Sequence, residues 1–185
     1  MIEIEISGVT LRLETGRGLF SPDRIDTGTL AMLSKVERIP GCKVLDLGCG
    51  YGAVGIFCGL KGAAKVVMAD NDPLAVRRSG ENIELNGLKD ILAVESDGYE
   101  HIADADFDLI LSNPPYHADF SVPKKFIEGG FRRLITGGRM YMVTKRKEWY
   151  KRKFISVFGG VRITEEDGYF VFMAEKRPKD TGPKA

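Results

Sequence analysis

A short buried-strand pattern, Lys43-Val-Leu-Asp-Leu47, runs directly into the glycine cluster Gly48-Cys-Gly-Tyr-Gly52, and Ala53 to Leu60 then has helical composition. Glycines placed immediately after a buried strand let the backbone turn tightly and approach a ligand without interference from a Cβ. A second strand, Ala64 to Ala69, leads into Asp70, twenty residues after Gly50. An acidic side chain there can accept both hydroxyl protons of a ribose. Gly48, Gly50 and Ala53 also satisfy G-x-G-x-x-A, so spacing alone admits a dinucleotide as well. Strand, loop and acidic residue together point to an adenosine-containing cofactor without choosing which.

The rest of the chain repeats the alternation. Ile2 to Ile6 and Val9 to Leu13 alternate with period two around Ser7-Gly8, which predicts a small hairpin. Thr29 to Ile39 is expected to be helical and to stop before Pro40-Gly41. Asp72-Pro73 offers an N-cap and a first-turn proline for a helix ending at Asn86-Gly87. Further strands are expected at Ile91 to Glu95, Phe107 to Leu111, Arg139 to Val143, Val161 to Ile163 and Tyr169 to Ala174, with helices over Lys124 to Leu134 and Arg146 to Phe158. Such alternation predicts an α/β fold with a mostly parallel sheet covered on both faces. One domain is expected over 1–177, with 1–40 as hairpin and leading segment, 41–177 as the core, and 178–185 as a loose tail.

Composition excludes several classes. At 43% hydrophobic and 29% charged, 185 residues can bury a core. No apolar run reaches the roughly 18 residues of a membrane span, and the alternating N-terminus does not read as a secretory signal. A cytoplasmic protein is expected. Cys42, Cys49 and Cys58 form no CxxC pair, and with only His101 and His117 no metal site is expected. Cys49 reads as a small filler within the loop rather than a nucleophile.

Charge is unevenly placed. Residues 121–185 carry 16 Lys plus Arg against 7 Asp plus Glu, a net of +9, while residues 1–120 have a net of −8. The densest stretch is Lys145-Arg-Lys-Glu-Trp-Tyr-Lys-Arg-Lys153. It is either a solvated helix face or a nucleic-acid surface, on which Lys145, Arg146 and Lys147 neutralise phosphates and Trp149 and Tyr150 stack on bases.

A second loop carries chemistry. The strand Phe107-Asp-Leu-Ile-Leu-Ser112 ends in Asn113-Pro-Pro-Tyr116. Consecutive prolines fix φ and remove backbone donors, leaving a stiff corner of exposed carbonyls. The Asn113 side-chain oxygen and the Pro114 carbonyl can together accept from one planar NH₂ group, and Tyr116 offers a ring to a flat heterocycle.

At this point the sequence resembles a family. Val44-Leu-Asp-Leu-Gly-Cys-Gly-Tyr-Gly52, Ala69-Asp-Asn71, Ser96-Asp97 and Asn113-Pro-Pro-Tyr116 look like the successive motifs of class I S-adenosylmethionine-dependent methyltransferases. Gly18-Leu-Phe-Ser through Asp26-Thr-Gly-Thr29, Gly138 to Thr144 and Gly168 to Phe172 are similar to the small-domain members that modify guanine N2 in ribosomal RNA. The resemblance implies a Rossmann-like, doubly wound sheet of seven strands whose last strand is antiparallel. It implies S-adenosyl-L-methionine as cofactor, with Asp46, Gly48, Gly50 and Gly52 along its methionine half. Asp70 would hold the ribose and Asn71 and Asp97 would lie near the adenine. Phe20, Asp26 and Thr29 would border the same pocket, which Asn113 also touches, and Asn113, Pro114, Pro115 and Tyr116 would form the catalytic corner.

The expected reaction is N-methylation of an exocyclic base amine in structured RNA, guanine N2 ahead of adenine N6. A protein glutamine methylase would use the same corner and stays open. From other classes, an NAD-dependent oxidoreductase would share the glycine loop but has no use for Asn113-Pro-Pro-Tyr116, and a non-catalytic RNA-binding module would need neither loop.

Overall fold

The computed structural model describes residues 1–115 and 119–178. Tyr116 and His117, and all but the first residue of the expected tail, lie outside the described residues.

The central strands are β3 (Lys43–Leu47), β4 (Lys65–Asp70) and β6 (Phe107–Ser112), all short and nearly uninterrupted in apolar character. Such strands suit the middle of a parallel sheet, buried on both faces. With β5 (Ile91–Glu95), β7 (Leu134–Thr144), β8 (Arg162–Glu166) and β9 (Tyr169–Glu175) they form one seven-stranded sheet in the order β5-β4-β3-β6-β7-β9-β8. Pairings from β5 across to β7 are parallel, whereas β9 runs antiparallel to both β7 and β8. The last strand is therefore inserted between its two predecessors, which sharpens the expectation of an antiparallel end.

Adjacent side chains point to opposite faces, as strand geometry demands. Val44, Val66, Leu109 and Tyr141 face one core layer with α1 (Thr27–Leu33), α2 (Ala53–Leu60) and α3 (Pro73–Leu85). Leu45, Val67, Ile110 and Met140 face the other with α4 (Ser121–Arg133) and α5 (Lys147–Phe158). The strand order reverses between β3 and β6, and ligands of open α/β sheets collect at that point, beyond the carboxyl ends of the strands.

The N-terminal hairpin, β1 (Ile2–Ile6) with β2 (Val9–Leu13), turns through Ser7 and Gly8, both at positive φ (49° and 81°). It buries Leu11 and Leu13 in the first core layer. Asn82 of α3 is fully buried and ties the hairpin to the glycine loop. Its Nδ2 donates to the carbonyls of Glu14 (2.9 Å) and Tyr51 (2.8 Å), and its Oδ1 accepts from the Glu14 N–H at 2.7 Å.

Several boundaries differ from expectation, three of them instructively. α1 spans Thr27–Leu33 rather than 29–39, because Asp26 caps it early and the chain tightens after Leu33 into the turns Lys35 N to Met32 O and Val36 N to Leu33 O. α4 starts three residues earlier than expected, with Pro123 in the first turn, where no backbone donor is needed. β7 reaches back to Leu134 across a register shift opposite Phe107 and Leu109.

Candidate active site

At the switch point lies a cavity of about 290 Å³, walled by the ends of β3, β4 and β6, the leading segment before α1, and α4. The glycine loop forms its floor. The N–H groups of Gly48 and Cys49 donate to the Ala69 carbonyl at 2.8 and 3.0 Å, and the Gly50 N–H donates to Asp70 Oδ2 at 2.8 Å. Ser79 on α3 clamps the far side, its hydroxyl donating to the Gly50 carbonyl at 2.8 Å. Gly50 stands at φ +56°, and a Cβ built there would meet nothing within 4 Å. The loop thus faces open space that a side chain would fill.

Asp70 closes β4 with its carboxylate oriented by the Gly50 N–H on one oxygen and the Asp72 N–H (3.0 Å) on the other. Asp46 sits deeper, 2% exposed, and accepts from the Gly55 N–H at 2.9 Å. Burial pushes its carboxyl from the usual 3.8 up to about 7, against the pull of the Gly55 bond and with a smaller push from Asp70. The Cys49 thiol is buried beside Ser79 and is held well above its ordinary value by burial and by Asp46, so it stays protonated. Asn71 and Asp97 line the opposite end, where Lys125 of α4 pairs with Asp97 at 3.0 Å.

Asn113 leaves the tip of β6, which Ser112 fastens to β3 by donating to the Leu47 carbonyl at 2.7 Å. The Asn113 Nδ2 donates to Asp26 Oδ2 and to Thr29 Oγ1, each at 2.9 Å. Its Oδ1 is buried and has no hydrogen-bond partner among the described residues. Phe20, Asp26, Thr29, Asn113 and Pro115 all line the cavity.

Two residues from the motifs do not line it. Gly52 is the buried N-cap of α2 at φ +91°, and a Cβ there would approach Met68 Sδ at 3.1 Å and Ser79 Oγ at 3.2 Å. The missing side chain leaves room for helix-to-sheet packing at that point. Pro114 is buried behind the lining, with Asn113 and Pro115 on the wall to either side.

The wall has a distinct charge. Asp26, Asp46, Asp70, Asp72 and Asp97 line it, and no lysine or arginine does so among the described residues. A pyrophosphate would meet unpaired repulsion there, whereas a ligand bearing positive charge is favoured, which separates a sulfonium amino-acid nucleoside from a dinucleotide.

The expected RNA-facing cations are exposed beside this cavity. Lys145 lies over the Tyr169 ring (4.7 Å), Arg146 over Phe120 (5.1 Å) and Lys147 over Phe170 (5.0 Å). The Tyr169 hydroxyl in turn donates to Asp26 Oδ1 at 3.4 Å. Trp149 is half-buried and stacks on Phe120, with ring centroids 4.5 Å apart. Tyr150 does not serve as a stacking platform. It is 4% exposed and packs against Phe172, because every fourth residue along α5 faces the core.

Sequence reasoning missed Tyr169, Phe120, Lys125, and Val122 and Phe126 on the wall from α4. The i, i+4 spacing of Val122 and Phe126 was a usable signal. Nothing local relates Tyr169 to Asp26 across 143 positions.

A doubly wound sheet with an antiparallel last strand inserted at its edge, bearing a glycine loop and an acidic cavity at the switch point, is the Rossmann-like methyltransferase fold. The chain belongs to the methyltransferase small domain family, which matches residues 10–174. It is 33% identical to ribosomal RNA small subunit methyltransferase C of Sodalis glossinidius, over 93% of this chain and 51% of that protein. It is 30% identical to ribosomal RNA large subunit methyltransferase G of Streptomyces avermitilis, over 84% of this chain and 43% of that protein. Among solved structures, the T. thermophilus 16S rRNA N2 methyltransferase RsmC, in complex with AdoMet and guanosine, superposes with a TM-score of 0.88 at 31% identity. That match covers 95% of this chain and 50% of the other. The chain spans about half the length of the curated relatives it matches.

Proposed function

We propose that this chain transfers a methyl group from S-adenosylmethionine to an exocyclic amine of a base in structured RNA, with guanine N2 of ribosomal RNA as the target. The observation that carries this reading is Asn113: a half-buried carboxamide on the cavity wall with both donors engaged and its oxygen buried without a partner among the described residues. An unmatched buried acceptor calls for a donor from a ligand. The names of the relatives, and the AdoMet and guanosine in the T. thermophilus structure, support the same chemistry.

The cavity fits the cofactor on its own evidence, through the open floor at Gly50 and the five aspartates. Asp70 would hold the ribose, Asn71 and Asp97 the adenine, and Asp46, Gly48 and Gly50 the methionine half, with Phe20 and Thr29 along the edge. Bound there, S-adenosylmethionine supplies a methyl group made electrophilic by its sulfonium. Asn113 Oδ1 accepts an N–H of the target amine, which drives the nitrogen toward tetrahedral geometry and stabilises the positive charge growing on it. The amine nitrogen held by Asn113 would take up the methyl group and lose its surplus N–H proton to water, the cofactor leaving as its neutral thioether. No strong base is required, since positioning alone supplies roughly 7–11 kcal/mol. Tyr116 takes the role of platform for the unstacked base. Lys145, Arg146 and Lys147, with Trp149 behind Phe120, form the phosphate-binding rim. Ribosomal RNA as substrate supports a cytoplasmic location.

Incubation with labelled cofactor and separate RNA, DNA and protein pools tests the reading. Label in RNA that digests to N2-methylguanosine supports it; N6-methyladenosine, or label in protein glutamine, replaces the target. Asn113→Ala is expected to lower turnover about 100-fold while moving the cofactor Kd less than about threefold. Equal losses in both would remove Asn113 from the reaction.

A further inference from the structure

We infer that Asp26, with Thr29, is a positioning residue for the reaction: the two fix the Asn113 carboxamide with its oxygen facing the cavity, so that the site takes an amine donor. This goes beyond the border role that resemblance gives to Asp26 and Thr29, and it rests on the methyl-transfer reading only for its consequence in turnover.

A carboxamide has two nearly isosteric ends, one donating and one accepting, and its neighbours decide which end points where. Here Nδ2 spends both of its hydrogens, one on Asp26 Oδ2 and one on Thr29 Oγ1. The reversed amide would set its oxygen 2.9 Å from a carboxylate oxygen, acceptor against acceptor. The carboxylate therefore holds the amide in one orientation, and Oδ1, on a residue that lines the cavity, is left buried and without a partner among the described residues. A rotated amide would offer N–H groups to an incoming amine and repel it.

The Asp26 carboxylate is itself boxed in. Its Oδ2 also accepts from the Thr29 N–H at 3.2 Å as the N-cap of α1, and its Oδ1 accepts from the Tyr169 hydroxyl at 3.4 Å. Gly28 closes the box by having no side chain. A Cβ there would stand 2.6 Å from the Tyr169 ring and 2.9 Å from Asp26 Oδ2. The three residues of the segment Asp26-Thr-Gly-Thr29 that matter thus serve one arrangement: a carboxylate, the space beside it, and a second acceptor. Its target is 84 to 87 positions away in sequence.

Two variants separate positioning from folding. Asp26→Ser keeps a capping hydroxyl for α1 but is one bond too short to reach Asn113. Thr29→Val keeps the volume and removes the second acceptor. Each is expected to lower kcat about 30-fold or more, with a much smaller loss of cofactor affinity from the edge of the pocket, as for a misplaced reacting group. In the Asn113→Ala background neither should lower kcat further, because groups acting through one partner are not additive. The substrate-free readout is hydrogen exchange of the Asn113 side-chain NH₂ by NMR. In the intact chain it should be protected about tenfold or more relative to a free carboxamide, and Asp26→Ser should abolish that protection. Unprotected Asn113 protons in the intact chain, a kcat unchanged by Asp26→Ser, or a cofactor affinity that falls in step with kcat would each overturn the inference. If protection is present and no RNA accepts methyl, the substrate reading falls while the amide arrangement stands.

Discussion

Asp46 shows how one buried carboxyl ties stability to the ligand. In the unfolded chain it titrates near the ordinary value, whereas in the folded protein burial holds it up to about 7. Between those values the native state carries a proton that the unfolded state lacks, so stability falls as pH rises from about 4 to about 7. Three units at about 1.36 kcal/mol each make a loss of about 4 kcal/mol. Asn in its place still accepts from the Gly55 N–H but carries no titrating proton. Urea unfolding of Asp46→Asn at pH 4.5 and 7.5 should show a decline smaller than the parent's by about 3 kcal/mol, the part of that loss which falls between pH 4.5 and 7. Equal declines would place the titration elsewhere. A cationic ligand in the cavity favours the charged carboxylate, so its affinity should rise with pH through the same window.

Among the elements, α4 is where sequence and structure diverge most instructively. The glycine loop, Asp70 and the Asn113 corner were legible because each follows a short buried strand, and strand ends at a switch point converge whatever the connections. The wall from α4 was not legible, since it depends on how closely the helix approaches the sheet. Gly129 and Gly130 set that approach. A Cβ at Gly129 would stand 2.3 Å from Tyr99 Cε2, and one at Gly130 would stand 2.9 Å from Met140 Sδ. Tyr99 is buried and donates to the Phe126 carbonyl at 2.7 Å, which fixes the turn that presents Phe126 to the cavity. By propensity alone, alanine at Gly129 would stabilise the helix by about 1 kcal/mol. The rigid Tyr99 ring reverses the sign, and Gly129→Ala should lower the unfolding free energy by about 1–3 kcal/mol. Adding Tyr99→Leu should recover part of that loss in the same urea titration. A stabilised single variant would show that α4 has room to move. The roles of Asp26 and Tyr169 were hidden for a related reason: contacts across 87 and 143 positions leave no local pattern.

Over the whole molecule, charge is unevenly divided along the chain. Residues 1–120, which supply most of the cavity, have a net charge of −8, and residues 121–185 have a net charge of +9. The sheet order places β5, β4 and β3 on one side of the switch point and β7, β9 and β8 on the other. A positively charged cofactor and a polyanion can then occupy neighbouring positions without competing for the same groups. Lys145, Arg146 and Lys147 each lie over an aromatic ring and pair with no carboxylate among the described residues, so their charge is available to phosphate. Each phosphate contact on single-stranded RNA contributes about 0.7 to the slope of log K against log salt. Replacing all three cations with alanine should reduce that slope by about 2, measured by fluorescence anisotropy of labelled RNA from 50 to 200 mM salt. The cofactor Kd, set within the acidic cavity, should change little. A slope that survives the triple replacement would move the RNA to another face, and a lost cofactor affinity would mean that the two charge fields are not separable.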